Sequence, residues 1–526
     1  MMEHQIIPYS DLYAAYLRDE SRTVGTADSI SFPRSEEEVR QILRMLHETG
    51  TSVTVQGGRT GLAAAAVPRG GHIMATGGMD HVLGLRQENG RFFLTVQPGV
   101  VLLNLRKMIA KKEFPTTGWS SESLTALEAF RTAPAHFFPT DPTETTAAIG
   151  GMAACNASGA RSFRYGPMRP HITALRCVLA DGRTVALRRG QHFADGLSFS
   201  LPTLEGGAVE GTLPDYTMPR TKNASGYYAA PDMDLIDLFI GSDGTLGVLT
   251  ELELELLELP ALSWGVTVFL PDEESACRYA EAVRAQVDCA AAIEYFNPGA
   301  LDILRQRKAQ GGVFATLPDL TMAGDGAAVF TELHCHTREQ AMSAVKTLGT
   351  LAVQCGGAAE KSWVARTETE SETLRHFRHA VPESVNSLID ERKRVYPGIT
   401  KMGSDMSVPN GRLLEVTEMY RRTLGAEGFQ YASWGHIGDN HIHVNILPRD
   451  MDEHARAKQL FLRWAGTVTE MGGAVSAEHG VGKLKAPFLT IMYGQTHIRQ
   501  MRQLKRLFDP KMQLGRGNLF AVEDEA

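Results

Sequence analysis

Residues 241–259 read GSDGTLGVLTELELELLEL, a glycine-rich turn followed by a segment in which leucine and glutamate alternate. Alternation of apolar and charged residues is typical of a β-strand with one buried face. Glycines in the turn allow positive φ and let several backbone N–H groups converge on an anion. The stretch therefore predicts a strand whose leading turn can approach a phosphate-bearing ligand.

Three more segments rich in small residues precede this one, at residues 56–62 (QGGRTGL), 149–166 and 221–227 (TKNASGY). The first follows a short β-branched run and matches neither G-x-G-x-x-G nor G-x-x-x-x-G-K-[ST]. Taken alone, it fits a tight turn as well as a phosphate site. Four such loops within about 200 residues exceed what turns require. Together they predict one long cofactor with phosphates, bound largely by backbone contacts.

The character of the chain changes near Pro260, where strand-like and helix-like segments begin to alternate in the manner of an α+β domain. Residues 116–136 and 191–220 interrupt the earlier rhythm, and we interpret both as loop-rich excursions from the cofactor domain. We expect strands at 264–270 and 327–333 and helices at 273–287, 298–308, 337–350, 411–424, 453–472 and 495–508.

Composition limits the classes of function. The 526 residues, 43% of them hydrophobic and 22% charged, predict a globular protein of two to four domains. The net charge of −8 argues against nucleic acid as a main partner, because phosphate binding needs clustered Lys and Arg. No stretch approaches the ~20 apolar residues of a membrane span, and the acidic N-terminus does not resemble a signal peptide. We expect a cytoplasmic protein, with peripheral attachment to a membrane as the alternative.

Six cysteines are scattered through the chain, and none forms a C-x-x-C or iron–sulfur spacing. This pattern is typical of free thiols in a reducing compartment. If the protein is a redox enzyme, its electrons must therefore leave to another molecule.

Two C-terminal stretches carry the residues best suited to chemistry. Residues 434–445 read WGHIGDNHIHVN, and residues 476–485 read SAEHGVGKLK. If HIHVN is a strand, His441, His443 and Asn445 share one face because side chains alternate. Imidazoles and a carboxylate brought together would form an open site for a divalent metal. We therefore expect the two stretches to meet and form a reaction centre.

The four loops, in this order, resemble those of the FAD-linked oxidase and dehydrogenase family, whose FAD domain is of the vanillyl-alcohol-oxidase type. The resemblance spans about residues 28–520. The second half resembles the branch that oxidises D-2-hydroxy acids, which includes D-lactate dehydrogenases, the glycolate oxidase catalytic subunit and D-2-hydroxyglutarate dehydrogenase. That branch carries G-H-x-G-D-G-N-x-H and G-E-H-G-x-G-x-x-K, which here read GHIGDNHIH (435–443) and AEHGVGKLK (477–485). The Gly-Asn of the first pattern is Asn440-His441 in this chain.

The resemblance implies an α+β protein with an FAD-binding domain of two subdomains at 1–258, a substrate or cap domain at 259–470, and a C-terminal segment, 471–526, at the flavin. Non-covalent FAD is expected, because the first loop lacks the histidine, cysteine or tyrosine that usually tethers flavin. The residues expected to contact FAD are Gln56, Gly57, Gly58, Arg59, Thr60, Gly61, Pro139, Asp141, Gly150, Gly151, Asn156, Ser158, Gly159, Arg164, Tyr165, Gly244 and Val248.

For the reaction centre, the resemblance implies metal ligation by His436, His443 and Glu478, with Zn²⁺ as the first choice and Mn²⁺ or Fe²⁺ as alternatives. His441 is assigned to packing or to orienting a neighbour. The predicted catalytic residues are His479, as general base, and Arg378, which would bind the substrate carboxylate. The residues predicted to bind substrate are Arg378, Lys401 and His479.

The predicted reaction is oxidation of a small D-2-hydroxy acid of the D-lactate, glycolate or D-2-hydroxyglutarate class to the 2-oxo acid, with hydride transfer to flavin N5. A quinone, an electron-transfer flavoprotein or an iron–sulfur subunit would accept the electrons, and a homodimer is one possible assembly. Three alternatives stay open at this point: an enzyme like alkylglycerone-phosphate synthase, which uses FAD without net redox change, an FAD subunit of a larger redox complex, and an oxidase that reduces O₂.

Overall fold

The computed structural model describes residues 6–321, 324 and 326–521. Its strands are β1 (Ile7–Pro8), β2 (Ser29–Ser31), β3 (Val53–Gln56), β4 (His72–Ala75), β5 (Val82–Glu88), β6 (Arg91–Val96), β7 (His136–Phe137), β8 (Ile172–Val178), β9 (Thr184–Arg188), β10 (Ser198–Pro202), β11 (Ala208–Thr212), β12 (Val248–Glu258), β13 (Leu262–Leu270), β14 (Ala290–Phe296), β15 (Ala327–Cys335), β16 (Trp363–Ala365), β17 (Met402–Gly403), β18 (Tyr431–Gly435) and β19 (His443–Ile446). Its α-helices are α1 (Glu36–Thr49), α2 (Leu102–Lys111), α3 (Ser121–Thr132), α4 (Ile149–Ala154), α5 (Ser162–Tyr165), α6 (Ile236–Phe239), α7 (Glu273–Gln286), α8 (Pro298–Gln310), α9 (Arg338–Gln354), α10 (Glu368–Lys393), α11 (Leu413–Glu427), α12 (Met451–Glu470) and α13 (Ala486–Phe508).

A small N-terminal sheet, in the order β1-β2-β4-β3, carries the first glycine-rich loop. Its β2–β4 and β3–β4 pairs are parallel, and α1 connects β2 to β3. Ser35 starts α1 by accepting a hydrogen bond from the N–H of Glu38 at 3.2 Å, and Gly50 ends it with φ 67°. The loop at 56–62 follows β3 directly, so the sheet positions it.

The leucine–glutamate stretch forms β12, which is central to the second sheet, in the order β5-β6-β12-β8-β9. Leu252, Leu254 and Leu256 are buried in the core below this sheet. Glu253, on the other face, is also buried, and Arg86 and Arg188 offset the cost of burying its charge by donating hydrogen bonds to its carboxylate. The predicted strand is confirmed, and the turn before it is held at the edge of this sheet.

The third sheet has seven strands in the order β16-β13-β15-β14-β18-β19-β17. All of its strand pairs are antiparallel. Its strands β13 and β15 confirm the strands predicted at 264–270 and 327–333. The expected helices are confirmed as α7, α8, α9, α11 and α12, and α13 covers the predicted helix at 495–508. The mixture of helices and antiparallel sheet confirms the α+β prediction for this part of the chain.

Three features differ from expectation. Residues 116–136 are not mainly loop, because α3 packs Ala126, Leu127 and Phe130 at helical spacing into the core of the second sheet. Residues 191–220 contain the antiparallel hairpin of β10 and β11. The 26-residue helix α10 was not predicted as a unit, and Pro382 lies inside it.

The C-terminal residues return to the second sheet, where Leu489, Met501 and Phe508 join the same core as Leu252. The predicted limit at residue 258 falls between the end of β12 and the start of β13. The three domain ranges stay a prediction. In the part of the chain that the structure describes, no helix combines the length and apolarity needed to cross a membrane.

Candidate active site

Two neighbouring strands of the seven-stranded sheet, β18 and β19, bring the histidine-rich stretch together. β18 ends at Gly435, a 3₁₀ turn follows at Ile437–Asp439, and the chain returns as β19 at His443. Gly435 has φ 131°, and a Cβ there would lie 2.9 Å from Cδ2 of His443. The tight return therefore requires glycine and places His436 and His443 on the same side of the sheet.

Glu478 connects the two motifs that the sequence singles out. Its Oε2 lies 3.2 Å from Nε2 of His436, and its Oε1 lies 3.0 Å from Nε2 of His443. His441 also faces this carboxylate, with Nδ1 3.9 Å from Oε2. Ligand atoms of these four residues all lie within 4.8 Å of one another. The predicted meeting of the two stretches is therefore observed, and the cluster has the donor set of a divalent metal site.

An acceptor behind each histidine fixes which ring nitrogen faces the cluster. Glu294 Oε1 lies 2.7 Å from Nδ1 of His436, and the carbonyl oxygen of Ser404 lies 3.0 Å from Nδ1 of His443. Asp405 Oδ1 lies 3.1 Å from Nε2 of His441. With a proton on each of these nitrogens, the other ring nitrogen presents its lone pair to the cluster.

Asp405 is the most connected residue of the site, and the sequence analysis did not identify it. Its carboxylate accepts hydrogen bonds from the backbone N–H groups of Glu478 at 3.2 Å and His479 at 3.1 Å. It also accepts from Ser476 Oγ at 2.8 Å and Lys485 Nζ at 2.5 Å. Asp405 thereby fixes the turn that presents both Glu478 and His479.

His479 lies at the edge of the cluster and is partly exposed, with 25% of its side chain accessible. Its Nδ1 faces Asp405 Oδ2 at 3.4 Å, and its Nε2 lies 3.3 Å from Glu478 Oε1. Its ring stacks on that of His443, with centroids 5.3 Å apart. The accessible imidazole beside a buried carboxylate is suited to exchange a proton with a bound substrate.

The third glycine-rich loop adds a buried cation. Lys222 Nζ donates to Glu478 Oε2 at 2.8 Å and lies 3.8 Å from Asp439 Oδ2. Burial alone would raise the pKa of Glu478, but Lys222 and His436 together hold that pKa well below its usual value. Glu478 is therefore ionised at neutral pH, as a metal ligand must be. Lys222 and Glu294 were also missed, although a lone charge in a small or apolar run is a readable signal.

The pKa values of His436 and His441 are shifted in opposite directions. Burial lowers the pKa of His436, but the carboxylate of Glu294 outweighs it and raises that pKa to about 9. Burial and the neighbouring His443 hold the pKa of His441 well below its usual value. His441 is thus a neutral imidazole in the middle of the cluster.

Arg378 lies on α10, on the opposite side of Glu294 from His436. Its Nη2 is 3.5 Å from Glu294 Oε2, and its guanidinium lies over the ring of Phe330. Its Nε is buried and finds no hydrogen-bond partner among the described residues. A cation held so loosely retains the capacity to bind an anion.

Lys401 lies just before β17, and the structure does not bring it into the cluster of Glu478. Burial and the neighbouring Arg22 lower the pKa of Lys401 to about 8. Its role in binding substrate stays a prediction.

The four glycine-rich loops converge beside this cluster. The first two meet where a Cβ on Gly57 would lie 3.7 Å from the N of Gly151. The third lies against the second through Lys222 Nζ and the carbonyl of Gly159, 3.4 Å apart. In the fourth loop, Asp243 Oδ2 accepts hydrogen bonds from the backbone N–H groups of Val481 and Gly482, at 2.9 and 2.8 Å.

The chemistry of these loops fits a long polar cofactor. Ser158 Oγ and Thr140 Oγ1 are buried, and neither has a hydrogen-bond partner within the described part of the chain. A Cβ added to Gly151 or Gly244 would meet nothing within 4 Å, so open space adjoins both glycines. Buried polar groups without partners are costly, and a bound ligand with hydroxyl and phosphate groups would satisfy them.

Several predicted cofactor residues have other contacts in the structure. Gln56 Nε2 donates to the carbonyls of Tyr16 and Ala66, both at 2.7 Å, and so braces the first loop. The guanidinium of Arg59 lies over the ring of Tyr16, 4.2 Å from its centroid. Asn156 Oδ1 accepts from the N–H of Arg169 at 3.0 Å.

Other residues predicted to contact the cofactor, in the second loop or just before it, also have contacts within the protein. Arg164 donates to the carbonyl of Asp288 at 2.8 Å, and the hydroxyl of Tyr165 pairs with Nδ1 of His334 at 2.7 Å. His334 lies in β15 of the seven-stranded sheet, and Asp288 lies in the connection just before β14. Asp141 pairs with Arg106 at 2.8 Å. The assignment of these residues to the cofactor stays a prediction.

Sequence comparison identifies two family domains in the chain. The family described as FAD linked oxidases, C-terminal domain, matches residues 260–519. The family described as FAD binding domain matches residues 27–123 and 117–188. The FAD binding domain match covers the glycine-rich loops at 56–62 and 149–166. The match to the C-terminal domain covers both histidine motifs.

Curated relatives match almost end to end. A D-lactate dehydrogenase of Anaerostipes hadrus is 27% identical over 503 residues, which cover 92% of this chain and 88% of that protein. A D-2-hydroxyglutarate dehydrogenase of Stutzerimonas stutzeri is 26% identical over 533 residues, covering 98% of this chain and 96% of the relative.

Solved structures share the fold at lower identity. The 4-ethylphenol oxidase of Gulosibacter chungangensis superposes with a TM-score of 0.65 at 16% identity, covering 99% of this chain and 95% of that one. An alkyldihydroxyacetonephosphate synthase superposes with a TM-score of 0.63 at 14% identity, covering 98% and 82%. These likenesses show the fold alone. The two family matches together span residues 27–188 and 260–519, so the chain combines an FAD-binding domain, with a fold of the predicted vanillyl-alcohol-oxidase type, and the C-terminal domain of the FAD linked oxidases.

Proposed function

We propose that the protein oxidises a D-2-hydroxy acid to the 2-oxo acid with FAD as the electron acceptor. The observation that carries this proposal is the position of His479 and Glu478, which share one turn between the fourth FAD loop and the histidine cluster. The near full-length relatives named as dehydrogenases of D-lactate and D-2-hydroxyglutarate support the same class of substrate.

His479 is the proposed base for the substrate hydroxyl. Because Asp405 faces Nδ1 of His479, the proton of the neutral ring resides there, and Nε2 has the free lone pair. We assign proton removal to that Nε2. The pair of electrons at C2 then leaves with its hydrogen as hydride, so the acid loses two electrons and two hydrogens and becomes the 2-oxo acid.

FAD, when bound, supplies at N5 the acceptor for the hydride that leaves C2. Ser158, Thr140 and the backbone around Gly57 and Gly151 are the groups proposed to hold it. Non-covalent binding is proposed because the first loop offers no nucleophile of the usual kind.

His436, His443 and Glu478 are proposed to hold a divalent metal, which when bound supplies a Lewis acid for the substrate hydroxyl. Imidazole ligands favour Zn²⁺ or Fe²⁺, while the carboxylate also suits Mn²⁺. Zinc is our first assignment. Lys222 contributes a fixed positive charge that keeps Glu478 ionised and oriented.

Arg378 is the proposed anchor for the substrate carboxylate. Its Nε has no partner among the described residues, and its pairing with Glu294 is long, at 3.5 Å. A guanidinium can bind a carboxylate bidentately, and this would orient C2 of the acid.

Electrons must leave the flavin to a separate acceptor, because the sequence carries no iron–sulfur spacing. A quinone, an electron-transfer flavoprotein or an iron–sulfur subunit are the proposed partners. The alternative of a non-redox enzyme like alkyldihydroxyacetonephosphate synthase has only a fold likeness in its support and is not favoured.

A turnover assay tests the substrate class. The purified protein, supplied with zinc and FAD, is given D- and L-2-hydroxy acids and a dye that accepts electrons. We expect dye reduction with at least one D-acid and one 2-oxo acid formed per two electrons. Activity with L-acids alone would contradict the proposal.

The change Arg378→Lys should raise KM for the acid by roughly 10- to 100-fold, because a charge-assisted hydrogen bond contributes about 1.5–3 kcal/mol. Lysine keeps the charge but loses the bidentate geometry. Steady-state kinetics with the preferred D-acid measures the effect, and zinc content must stay at the wild-type level. An unchanged KM would assign Arg378 to Glu294 alone.

A further inference from the structure

His441 is the feature of the cluster that the proposed function leaves unused. It occupies the position where the family pattern has asparagine, and the sequence alone assigns it to packing. In the structure its side chain is fully buried and lies beside the rings of His436 and His443, with centroids 5.4 and 4.3 Å away.

Neither ring nitrogen of His441 has a hydrogen-bond partner among the described residues. Nε2 lies 3.1 Å from Asp405 Oδ1, within ion-pair distance but off the hydrogen-bond direction. Nδ1 points to Glu478 Oε2 at 3.9 Å. A buried imidazole nitrogen without a partner is costly, so a ligand for Nδ1 is expected.

The distances around Glu478 match those between ligands of one ion. Two atoms that each lie ~2.1 Å from a tetrahedral zinc are ~3.4 Å apart. Nε2 of His436, Nε2 of His443 and Nδ1 of His441 lie 3.2, 3.0 and 3.9 Å from the oxygens of Glu478. Nδ1 of His441 thus lies at a distance from Glu478 comparable with those of the two expected ligands, His436 and His443.

Each of the three histidines also has an acceptor next to the ring nitrogen that faces away from the cluster. His436 has Glu294 behind Nδ1, and His443 has the carbonyl of Ser404. His441 has Asp405 behind Nε2. Histidines that bind metals usually have such a group behind the other nitrogen. His441 differs in which nitrogen faces inward and in that its contact with Asp405 is off the hydrogen-bond direction.

We propose that His441 is a third imidazole ligand, so that this chain holds its metal through His436, His441, His443 and Glu478. The inference rests on the metal-assisted reaction proposed above and specialises it. Three nitrogen donors favour zinc, ferrous iron or cobalt over manganese, because imidazole suits the former and oxygen ligands the latter.

Lys222 offers the rival explanation for the same cluster. Its ammonium already donates to Glu478 Oε2 at 2.8 Å and could be the cation that the carboxylate requires. In that case the cluster would bind no metal tightly, and His441 would only fill space beside Asp405. Metal content therefore distinguishes the two explanations.

X-ray absorption at the zinc edge of the wild-type, zinc-loaded, FAD-containing protein tests the proposal without a variant. We expect the imidazole scattering of three histidine ligands. Scattering from two histidines, or a protein that does not retain zinc after dialysis, would overturn it. Bleaching of the flavin by a D-2-hydroxy acid, measured on the same sample, reports separately on the proposed function.

The change His441→Asn, which restores the residue of the family pattern, gives a second measurement. Zinc affinity should fall by about tenfold or more, since even loss of a group behind a ligand costs that much. The visible spectrum of the cobalt-substituted protein should also change. The matched control is His454→Asn, because His454 is buried but pairs with Thr400 outside the cluster. Wild-type affinity and an unchanged cobalt spectrum in His441→Asn would contradict the proposal.

Discussion

The change His479→Ala is expected to slow flavin reduction by a D-2-hydroxy acid by roughly 10²- to 10⁴-fold, the usual contribution of a positioned general base. The side chain is partly exposed, and the buried carboxylate of Asp405 that it faces stays paired with Lys485 when the ring is lost. The backbone N–H of residue 479 continues to donate to Asp405. FAD and zinc content should therefore stay at wild-type levels, while the rate measured by anaerobic stopped-flow absorbance falls.

The control for this variant is His497→Ala, a partly exposed histidine of α13 whose ring contacts Asp215 and the carbonyl oxygen of Tyr493, neither of which belongs to the cluster. It should reduce at the wild-type rate. If His479→Ala reduces the flavin as fast as wild type, another group removes the hydroxyl proton and His479 has no role as base.

The change Asp405→Asn should have the second largest effect, although Asp405 need not touch the substrate. Asparagine keeps only one acceptor oxygen. If that oxygen takes the place of Oδ2, which accepts from Ser476, Lys485 and the N–H of His479, the amide NH2 takes the place of Oδ1 and the N–H of Glu478 loses its acceptor. The turn that presents Glu478 and His479 would shift. A displacement of about 1 Å in a reacting group can cost about 10²-fold in rate.

For Asp405→Asn we expect flavin reduction to slow by about that factor, and zinc affinity to fall as Glu478 moves. The measurement compares the reduction rate at saturating acid with the KM. A role in positioning the base and metal lowers the saturating rate, whereas KM, set by Arg378, changes little. The change Asp272→Asn is the control, because asparagine caps a helix as well as aspartate does. A wild-type rate in Asp405→Asn would exclude the positioning role.

The strands and helices predicted correctly from the sequence are those whose residues carry the cause of the structure nearby in the chain. The alternation in residues 248–259 defines β12, and Ser35 and Gly50 mark the ends of α1, since the cause of each lies within a few neighbouring residues. The helix α3 was missed because residues 116–136 were assigned by their position between loops. The spacing of Ala126, Leu127 and Phe130 carried the correct signal.

The site could be predicted only as far as its motifs extend. His436, His443, Glu478 and His479 stand in patterns that announce their chemistry, and the structure places them together. Asp405 meets Glu478 across 73 positions of sequence, and no local pattern encodes that contact.

Lys222 and Glu294 reach the cluster from another loop and another strand. A lone charge in a small-residue or apolar run marks each of them in the sequence, but only the fold shows that they meet Glu478 and His436. The role of His441 could not be predicted although the residue stands within a recognised motif. Its position in a strand-like run is equally typical of packing, and only its buried, unpartnered Nδ1 in the described structure suggests a ligand.

In the proposed reaction, electrons of a D-2-hydroxy acid pass to FAD at the site built by Glu478 and His479. Anaerobic mixing of the zinc-loaded, FAD-containing protein with the D- and L-forms of several 2-hydroxy acids tests it directly. We predict that at least one D-acid bleaches the flavin absorbance band and that its L-form does not. If no 2-hydroxy acid bleaches the flavin of the metal-replete protein, the proposed oxidation of 2-hydroxy acids is contradicted.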